Sequence, residues 1–411
     1  MKKILSICII SLFIFCSFNV QGSFFEKTSS KTTNTGLKDI LFNLVVSLLM
    51  KKAHYPSLSA CVINGDNVLW SKGYGYYDLT NNTPASETTI YNIASITKTI
   101  TGTALMQLWE KGLFDLNEDV NNYLPFNLRN PHFPDVPITF RMLLTDTSSL
   151  DVDPLDYYRF NFSKDPPFEG YPYPWLEEHL VPGGRWYHPE RWSPIYRPGE
   201  KYIYANANFD IVAYLVELIS GESFIDYCDN YIFEPLEMYN TGFNLSELDI
   251  DKVAVPYWYE DGQYHEINQI VIWNVSLPSK YWRPFNYPVG GLYTTVSDLS
   301  HFMIAHMNGG VWNNVRILKE NTVNSMHKSS LAWATIKPDK LDVTYSGYSG
   351  HNAGVNAHMY FIPSEKIGMI YLSNGFHPMD EVVNMIFLSL FIKGGFNIFS
   401  HIDFRNMGGA E

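Results

Sequence analysis

Segments with strand character lie near both ends of this 411-residue chain, and they constrain its fold more than any other feature. Near the N-terminus, the turn signal NGD separates LSACVI from VLWSKGYGYYD, which predicts a β-hairpin. Far downstream, PSEK separates AHMYFI from IGMIYLSN and predicts a second hairpin. Strands so distant in sequence share one core only when the two ends of the chain meet. We therefore predict one antiparallel β-sheet built from both chain ends.

Most of the remaining pattern is helical. Helical periodicity is found in LKDILFNLVVSLLMKK before the first hairpin and in MDEVVNMIFLSLFIKGG after the last one. Residues 113–290 read mostly as helices and long loops, without strand alternation. The prediction is an α+β protein in which terminal helices flank the antiparallel sheet and a large, mainly helical insert at 113–290 forms a second lobe. A cleft between the lobes is where a site is expected.

The N-terminus has the features of a targeting segment. MKKILSICIISLFIFCSFNVQG combines two lysines, an apolar stretch and small residues, as secretory signal peptides do. We predict a signal peptide at 1–22, a flexible leader at 23–36, one domain at 37–400 and a tail at 401–411. The protein would then be secreted, or released into a lumen or periplasm. A membrane anchor is the alternative interpretation of the first segment.

Composition and spacing exclude several classes of function. The formal net charge of −13 argues against nucleic acid and against electrostatic attachment to anionic membranes. The 12 histidines show neither His-Glu-x-x-His nor His-x-His spacing, and there is no phosphate-binding loop and no Gly-x-Ser-x-Gly elbow. We therefore predict no metal and no cofactor.

Cysteines and glycosylation sequons add two further expectations. Cys8 and Cys16 would leave with the signal peptide, which keeps Cys61 in a strand and Cys228 in a helix. A chain of this length needs no disulfide, so two buried free thiols are favoured, although the sequence alone leaves their pairing open. Sequons of the type Asn-x-Ser/Thr, which are glycosylated in eukaryotic hosts, begin at Asn81, Asn161, Asn244 and Asn274.

The stretch YNIASITKTITGTALMQLWEKG at 91–112 predicts a helix with an unusual first turn. Ser95 and Lys98 stand three residues apart there, within hydrogen-bond reach of each other on one face. Apolar side chains that repeat every four residues mark the buried side of the helix: Ile96, Ile100, Ala104 and Leu108.

The Ser95–Lys98 pair has the chemistry of an activated nucleophile. Free N–H groups and the dipole at a helix N-terminus favour the negative charge that develops near Ser95. A serine hydroxyl needs a base to take its proton, and a buried lysine can act as that base because burial disfavours its charged form. The spacing alone is weak evidence, because an N-cap serine followed by a lysine that reaches solvent gives the same pattern.

Residues 157–204 are dense in aromatic residues, with prolines and glycines that prevent long regular elements. Such a segment could form a lid or rim that binds a ligand by stacking. It could equally be a long loop whose aromatic side chains pack onto the body of the protein.

Several blocks, in order, resemble the superfamily of serine β-lactamases and penicillin-binding proteins, in particular the branch of class C β-lactamases, D-amino-acid carboxypeptidases and related esterases. ASITKTITG resembles the nucleophile helix, and ITFRMLLTDTSSL the segment Thr-x-Arg-x-Leu-Leu-x-His-Thr-Ser-Gly-Leu, with Asp146 for histidine and Ser149 for glycine. The blocks RPGEKYIYANANFDIVAYLVE, EPLEMYNTGF, PVGGLYTTVSDLSHFM and GHNAGVNAHMYFIPSEKIGMIYLSNG follow. The resemblance covers about residues 40–392.

The resemblance implies roles for individual residues. Ser95 would be the nucleophile, and Tyr204 would share proton transfer with Lys98, since a phenolate beside an ammonium is favoured by the opposite charge. Asn206 would hold Lys98 and the amide side chain of a substrate. Without the motif, Tyr204 could be an ordinary core tyrosine, and Asn206 a residue that caps a loop.

The third motif departs from the family pattern. Where the family often has Lys-Thr-Gly, we place His351, Asn352 and Ala353, with His351 and Asn352 as substrate-binding residues. The histidine could give a proton or a hydrogen bond to a substrate carboxylate, while the alanine methyl disfavours bulky β-lactams. The backbone amides of Ser95 and Gly354 would form the oxyanion hole. Asp146 and Ser149 would lie behind the site and affect stability.

Together these features predict a secreted serine hydrolase that cleaves an amide or ester through a Ser95 acyl-enzyme. The resemblance implies a small-molecule or peptide substrate as the partner, and D-amino-acid peptides, β-lactams and simple esters remain open. The alternative from another class is a catalytically silent protein that uses the same cleft to bind peptides or glycans.

Overall fold

The fold is that of a computed structural model. The structure describes residues 35–151, 175–267, 287–337 and 344–376. The chain divides into two units, residues 1–52 and 53–411. Helix α1 (Thr35–Ala53) contains the predicted N-terminal helix. The remaining elements belong to the second unit.

Strands form where β-branched and aromatic residues cluster, and helices where apolar residues recur every three or four positions. The strands in chain order are β1 Ser57–Asn64, β2 Asn67–Asp78, β3 Thr83–Pro84, β4 Tyr91–Asn92, β5 Tyr257–Glu260, β6 Gln263–Glu266, β7 Tyr293–Thr294, β8 Val311–Trp312, β9 Val315–Arg316, β10 Ala334–Ile336, β11 Tyr345–Asn352, β12 Val355–Ile362, β13 Ile367–Ser373 and β14 Gly375–Phe376. The helices after α1 are α2 Thr97–Glu110, α3 Phe140–Leu144, α4 Trp175–Leu180, α5 Asn206–Ser220, α6 Phe224–Cys228, α7 Tyr287–Gly290, α8 Val296–Met307 and α9 Glu320–Lys328.

The main sheet has seven strands in the order β10-β11-β12-β13-β1-β2-β3, and all its neighbours are antiparallel. Strand β1 pairs with β2 on one side and with the distant β13 on the other, so strands from both chain ends share this sheet. The two predicted hairpin turns even touch, because the Gly65 N–H donates to the Lys366 carbonyl at 2.8 Å. The predicted α+β fold with a sheet built from both ends is confirmed.

Side chains alternate between the two faces of this sheet. The register places Cys61, Ile370 and Met359 side by side on one face, and all three belong to the main hydrophobic core. Helix α8 covers this face, and the Cys61 thiol lies 3.9 Å from the Val296 carbonyl. His358 and Tyr371 lie on the opposite face, where their rings stack with centroids 4.6 Å apart.

Helix α2 runs through the interior. Its predicted apolar stripe is buried, and so are the threonines between the stripe residues. Their hydroxyls donate to backbone carbonyls, as Thr103 does to Thr99 at 2.8 Å, and this removes the penalty of burying a polar group. The absence of a side chain at Gly102 lets α2 approach Ala332, whose methyl would lie 2.1 Å from an added Cβ.

Several expectations about the rest of the chain differ from the structure or lie outside it. The insert contains a hairpin, β5–β6, that the prediction lacked, although the Asp261-Gly262 pair at its turn is a hairpin signal. Strand β14 pairs with β5 in parallel. The signal peptide, the leader up to residue 34, the C-terminal helix and the tail lie outside the described residues.

The aromatic segment is described only from residue 175 onward. In that part, Trp175, Leu176 and Leu180 of helix α4 belong to the core, whereas Ile195 and Tyr202 are exposed. Trp192 is fully buried and its indole N–H donates to the Leu180 carbonyl at 3.1 Å. Residues 157–174 lie outside the described residues, so the lid interpretation is left as a prediction for them.

The cysteines behave as expected. Cys61 lies in β1 and Cys228 ends α6, and both are buried free thiols. Burial raises the pKa of the Cys61 thiol to about 12. Within the described parts of the chain, no helix has the length and apolar character needed to cross a membrane.

Candidate active site

Ser95 lies in a single 3-10 turn, Ala94–Ile96, that leads directly into α2. The turn has a conformation that a non-glycine residue rarely adopts, with Ala94 at φ +43°. Two side chains hold it: the Asn92 side-chain oxygen accepts from the Ala94 N–H at 3.0 Å, and the Thr97 hydroxyl donates to the Ala94 carbonyl at 2.7 Å. The serine is thereby presented, half-buried, at the start of the helix.

Three predicted residues meet in a closed triangle of polar contacts. The Ser95 Oγ lies 2.7 Å from the Tyr204 Oη and accepts from the Lys98 Nζ at 2.9 Å. The Lys98 Nζ also donates to the Tyr204 Oη at 2.8 Å. Lys98 itself is fully buried. A proton on any of the three groups is therefore within one hydrogen bond of the other two.

The third hydrogen of the Lys98 ammonium goes to a backbone group that the sequence did not single out. The Val289 carbonyl of α7 accepts from the Lys98 Nζ at 3.0 Å. The same segment is fastened to α2 through Thr101, whose hydroxyl donates to the Pro288 carbonyl at 2.5 Å. The only sequence signal for this role is the block PVGGLYTTVSDLSHFM, because a carbonyl acceptor carries no side-chain signature.

Two buried carboxyl groups face Lys98. Burial raises the pKa of Asp146 to about 6, and hydrogen bonds from Asn208 and Ala205, together with the charge of Lys98, oppose that rise. Burial raises the pKa of Asp210 well above its ordinary value, again opposed by Lys98. Asp146, which replaces the family's histidine, thus contributes a negative charge close to the ammonium at neutral pH.

Asn206 is the first residue of α5, one helical turn before Asp210. Its contact with Lys98, expected from the motif, is not formed: the hydrogen-bond acceptors of the Lys98 Nζ among the described residues are Ser95, Tyr204 and Val289. The Asn206 side-chain oxygen is buried and has no hydrogen-bond partner within the described ranges. Its predicted interaction with a substrate amide stays a prediction.

Gly350, three residues before the predicted Ala353, is the glycine that meets the nucleophile. A Cβ added to Gly350 would lie 2.0 Å from the Ile93 carbonyl oxygen and 2.9 Å from the Ser95 nitrogen. No side chain fits between β11 and the Ser95 turn there. The placement of the third motif at residues 351–353 is therefore wrong, and its glycine is Gly350, which gives the motif Tyr348, Ser349 and Gly350.

Gly354 does not lie beside Ser95. It has φ +64° in the two-residue turn between β11 and β12, and an added Cβ there would lie 2.6 Å from Pro256. Gly354 follows Gly350 by two strand residues and the first turn residue. At the usual rise of a strand, the two glycines are therefore about 10 Å apart along the hairpin. The predicted pairing of the Ser95 and Gly354 amides as an oxyanion hole is corrected on this ground.

The register of the β11–β12 hairpin shows which backbone amide takes the place of the Gly354 amide near Ser95. Asn352 pairs with Val355 across the two-residue turn, so these two residues exchange hydrogen bonds, as do Gly350 and Ala357. His351 lies between Gly350 and Asn352 in β11, so its N–H group points away from β12. Strand β10 ends its pairing at Gly347, so no strand among the described residues pairs with this edge of β11 at His351.

The side chain of His351 lies on the face of the sheet opposite Ser95. It alternates with Gly350, and its ring lies 5.1 Å from that of His358, centroid to centroid. The expectation that this imidazole meets a substrate carboxylate beside Ser95 is therefore corrected. Asn352 lies on the same face as Gly350, but its side-chain oxygen accepts from the Ala353 N–H of the turn at 3.0 Å.

Tyr348 takes the first position of the corrected motif and shares the face of Gly350. Burial raises the pKa of its phenol well above the ordinary value, and the neighbouring Tyr204 and Asp146 raise it further. A neutral phenol therefore occupies the position where the family often has a lysine. Tyr348 could not be recognised from the sequence, because GHNAG has a histidine followed by a glycine and so resembles the third motif of the family.

Comparison with known proteins shows the family. The family profile described as Beta-lactamase matches residues 42–390, and the chain belongs to that family. Curated relatives include "Protein flp" of Staphylococcus aureus, 26% identical over 265 residues, which cover 63% of this chain and 47% of the relative. A "Putative D-alanyl-D-alanine carboxypeptidase" of Salmonella schwarzengrund is 27% identical over 303 residues, 69% of this chain and 67% of the relative. The chain spans about half the length of the first of these.

Solved structures with the same fold include an octameric penicillin-binding protein homologue from Pyrococcus abyssi, with a TM-score of 0.65 and 22% identity over 87% of this chain and 77% of that one. The D-amino acid amidase from Ochrobactrum anthropi has a TM-score of 0.62 and 19% identity over 81% of this chain and 91% of that one. Both show the fold, and the family with its named relatives supports serine hydrolase-type activity.

Proposed function

We propose that the protein is a serine hydrolase that cleaves an amide or ester bond through an acyl-enzyme on Ser95. The observation that carries the proposal is the closed contact of Ser95, Lys98 and Tyr204, with Ser95–Tyr204 at 2.7 Å and Lys98 fully buried. A nucleophile, a base and a second proton carrier within one hydrogen bond of each other are what nucleophilic catalysis requires.

The reaction would follow these contacts. The Ser95 Oγ attacks the carbonyl carbon while its proton passes to the Tyr204–Lys98 pair, and the pair then protonates the leaving alcohol or amine. Water attacks the resulting ester of Ser95 by the same route in reverse. The Val289 carbonyl, 3.0 Å from the Lys98 Nζ, holds the ammonium in place between the two hydroxyls.

The tetrahedral oxyanion would be stabilised by two backbone amides, those of Ser95 and His351. The Ser95 amide lies next to Gly350, and the His351 amide follows on the open edge of β11. Preorganised N–H groups at this position contribute about 3 kcal/mol each in other acyl-transfer sites. The rigid approach of β11 to the Ser95 turn is what would fix their spacing.

For the substrate, we favour small esters and amides. Relatives named as a D-alanyl-D-alanine carboxypeptidase and a D-amino acid amidase motivate acyl groups of the D-amino-acid type. Tyr348 at the first motif position offers a neutral phenol, which gives a free carboxylate less electrostatic stabilisation than a lysine would. Neutral esters are therefore expected to react faster than penicillins or cephalosporins.

A three-substrate panel tests this proposal. The wild-type protein is expected to hydrolyse a short-chain p-nitrophenyl ester, with slower turnover of a D-Ala-D-Ala peptide and of a cephalosporin. Pretreatment with a fluorophosphonate, which esterifies activated serines, should abolish all turnover. A protein that hydrolyses none of the three, or whose hydrolysis survives the fluorophosphonate, would show that the proposal is wrong and leave the silent binding protein as the better description.

We also propose that the protein acts after export. The apolar residues behind Met1, Lys2 and Lys3 support this, together with the small residues near Gly22. N-terminal sequencing of the protein recovered outside the producing cells is expected to begin just after residue 22. A mature protein that still begins at Met1 would contradict export by cleavage.

A further inference from the structure

Asp146 accepts hydrogen bonds from the segment that carries Tyr204. The Asp146 carbonyl accepts from the Ile203 N–H at 2.7 Å, and its carboxylate Oδ1 accepts from the Ala205 N–H at 3.3 Å. These are the two neighbours of Tyr204 in the chain. One residue therefore fastens the backbone on both sides of the tyrosine.

The same carboxylate reaches the helix that follows. Its Oδ1 accepts from the Asn208 Nδ2 at 2.8 Å, and the other end of that amide accepts from the Ser148 hydroxyl at 2.6 Å. Asp146 holds φ +52°, a conformation that Asp and Asn adopt more readily than most residues. The chain after α3, the Tyr204 segment and α5 thus form one hydrogen-bonded unit in which Asp146 is the central acceptor.

Asp146 also faces the charged members of the site. Lys98 of α2 is the cation that stabilises its carboxylate. The negative charge of Asp146 raises the pKa values of Tyr202, in the same segment, and of Tyr348 in β11. The charge of Lys98 also acts on Asp210 of α5, where it opposes the rise in pKa that burial causes. Burial raises the pKa of both acids, that of Asp146 to about 6 and that of Asp210 well above its ordinary value.

We propose that Asp146 is a positioning residue for the proton-transferring pair: it holds the Tyr204 segment against Lys98 and places a carboxylate beside the pair. This inference rests on the proposed function, because it assigns the pair its task. The charge has a direct consequence for pH dependence. As the pH falls through about 6, Asp146 takes up a proton and loses its charge, so the titration of Asp146 contributes to the acid limb of the wild-type profile and is absent from a variant that cannot ionise at this position.

Two substitutions separate the charge from the contacts. Asp146→Asn keeps an oxygen that accepts from Ala205 and Asn208 and removes the charge. Its plateau kcat for the ester is expected within about three-fold of wild type, with the acid limb of the kcat/KM profile about one pH unit lower. Asp146→Gly removes the side-chain contacts with Ala205 and Asn208, keeps the backbone contact with Ile203 and does not strain the positive φ. Its kcat should fall about 10-fold to 100-fold with little change in KM, because a misplaced base affects the chemical step.

Asp229→Asn is the matched control. The pKa of Asp229 is also about 6, raised by burial, but the charged groups that face it are Glu247 and Asp226 rather than Lys98. Its pH profile should coincide with that of the wild type. All rates are measured per active site, titrated with a fluorophosphonate, so that a loss of folded protein does not count as a loss of rate.

The inference is overturned if the acid limb of Asp146→Asn coincides with those of the wild type and of Asp229→Asn, or if Asp146→Gly keeps the wild-type kcat. The inference is supported if the acid limb shifts in Asp146→Asn and if the kcat of Asp146→Asn is close to that of the wild type while the kcat of Asp146→Gly is low. A wild type without esterase activity would contradict the proposed function and this inference together. An active wild type with an unmoved limb would contradict the inference alone.

Discussion

Ser95→Ala and Lys98→Met are each expected to lower kcat/KM for the hydrolysed ester by about 10⁴-fold or more, and the double variant should lose no more than either one. Groups that act as one unit are strongly non-additive, because removing either member disables the other. The physical basis is the geometry: the Lys98 Nζ lies 2.9 Å from the Ser95 Oγ and 2.8 Å from the Tyr204 Oη. Steady-state rates of the three purified variants are the measurement.

The control for this prediction is Lys111→Met, an exposed lysine just beyond the other end of α2. It should keep wild-type rates. Methionine is chosen at position 98 because it fills the space of a buried lysine without its charge. The buried Asp146 carboxylate then loses the cation that stabilises it, and removing one partner of a buried charge pair is destabilising. Lys98→Met is therefore expected to unfold at a lower temperature than wild type, so its rates are compared below that unfolding temperature. If the loss in the double variant equals the product of the losses in the two single variants, Ser95 and Lys98 do not act as one unit.

Gly350→Ala is expected to lower both stability and rate, for a steric reason. The new methyl would lie 2.0 Å from the Ile93 carbonyl oxygen and 2.9 Å from the Ser95 nitrogen, so β11 and the nucleophile turn would have to separate. Overpacking of this kind costs about 1–3 kcal/mol in stability. A shift of the reacting groups by about 1 Å lowers rates by about 100-fold. Thermal unfolding and ester hydrolysis measure the two effects.

Gly242→Ala is the matched glycine control. An added Cβ there has Leu248 as its nearest neighbour at 3.7 Å, an ordinary contact, and unfolding and rate should both be near wild type. Ala353→Gly, at the position first taken for the motif glycine, should leave the rate within about three-fold, because the strand that faces Ser95 ends before it. A Gly350→Ala protein as active as Gly242→Ala would contradict the corrected motif.

Much of the fold could be predicted because its signals are local. The turn residues between β1 and β2, and between β12 and β13, mark both hairpins, and the distance between these hairpins requires the chain ends to meet in one sheet. The short β5–β6 hairpin could have been found from Asp261 and Gly262. It was missed because its strands have only four residues each and lie in a long aperiodic region.

In the candidate site, the contacts among Ser95, Lys98 and Tyr204 could be predicted, but the expected contact of Asn206 with Lys98 is not formed and the backbone contacts could not be predicted. Ser95 and Lys98 lie on one helical turn, and the motif around Tyr204 brings the third group. Gly350, the Val289 carbonyl and the His351 amide act through the backbone or through the absence of a side chain. Such roles depend on which strand approaches the nucleophile, and here a shift of three residues separated the predicted motif from the one in the structure.

Asp146 illustrates a second limit. In the sequence it is a departure from the family's histidine, and we expected it to affect stability alone. Its importance arises from three contacts with residues 203–208 and from its proximity to Lys98, which are 48 or more positions away in sequence. A substitution relative to a family can therefore mark a change in the electrostatics of a site, which spacing along the chain does not reveal.

The central claim is that Ser95 becomes acylated with the help of Lys98. It is tested most directly by mass spectrometry after brief treatment with a fluorophosphonate, followed by peptide mapping. One adduct per molecule on Ser95 is expected in the wild type, with labelling at least about 100-fold slower in Lys98→Met. An adduct on another residue, no adduct, or equal labelling rates in the two proteins would contradict the account.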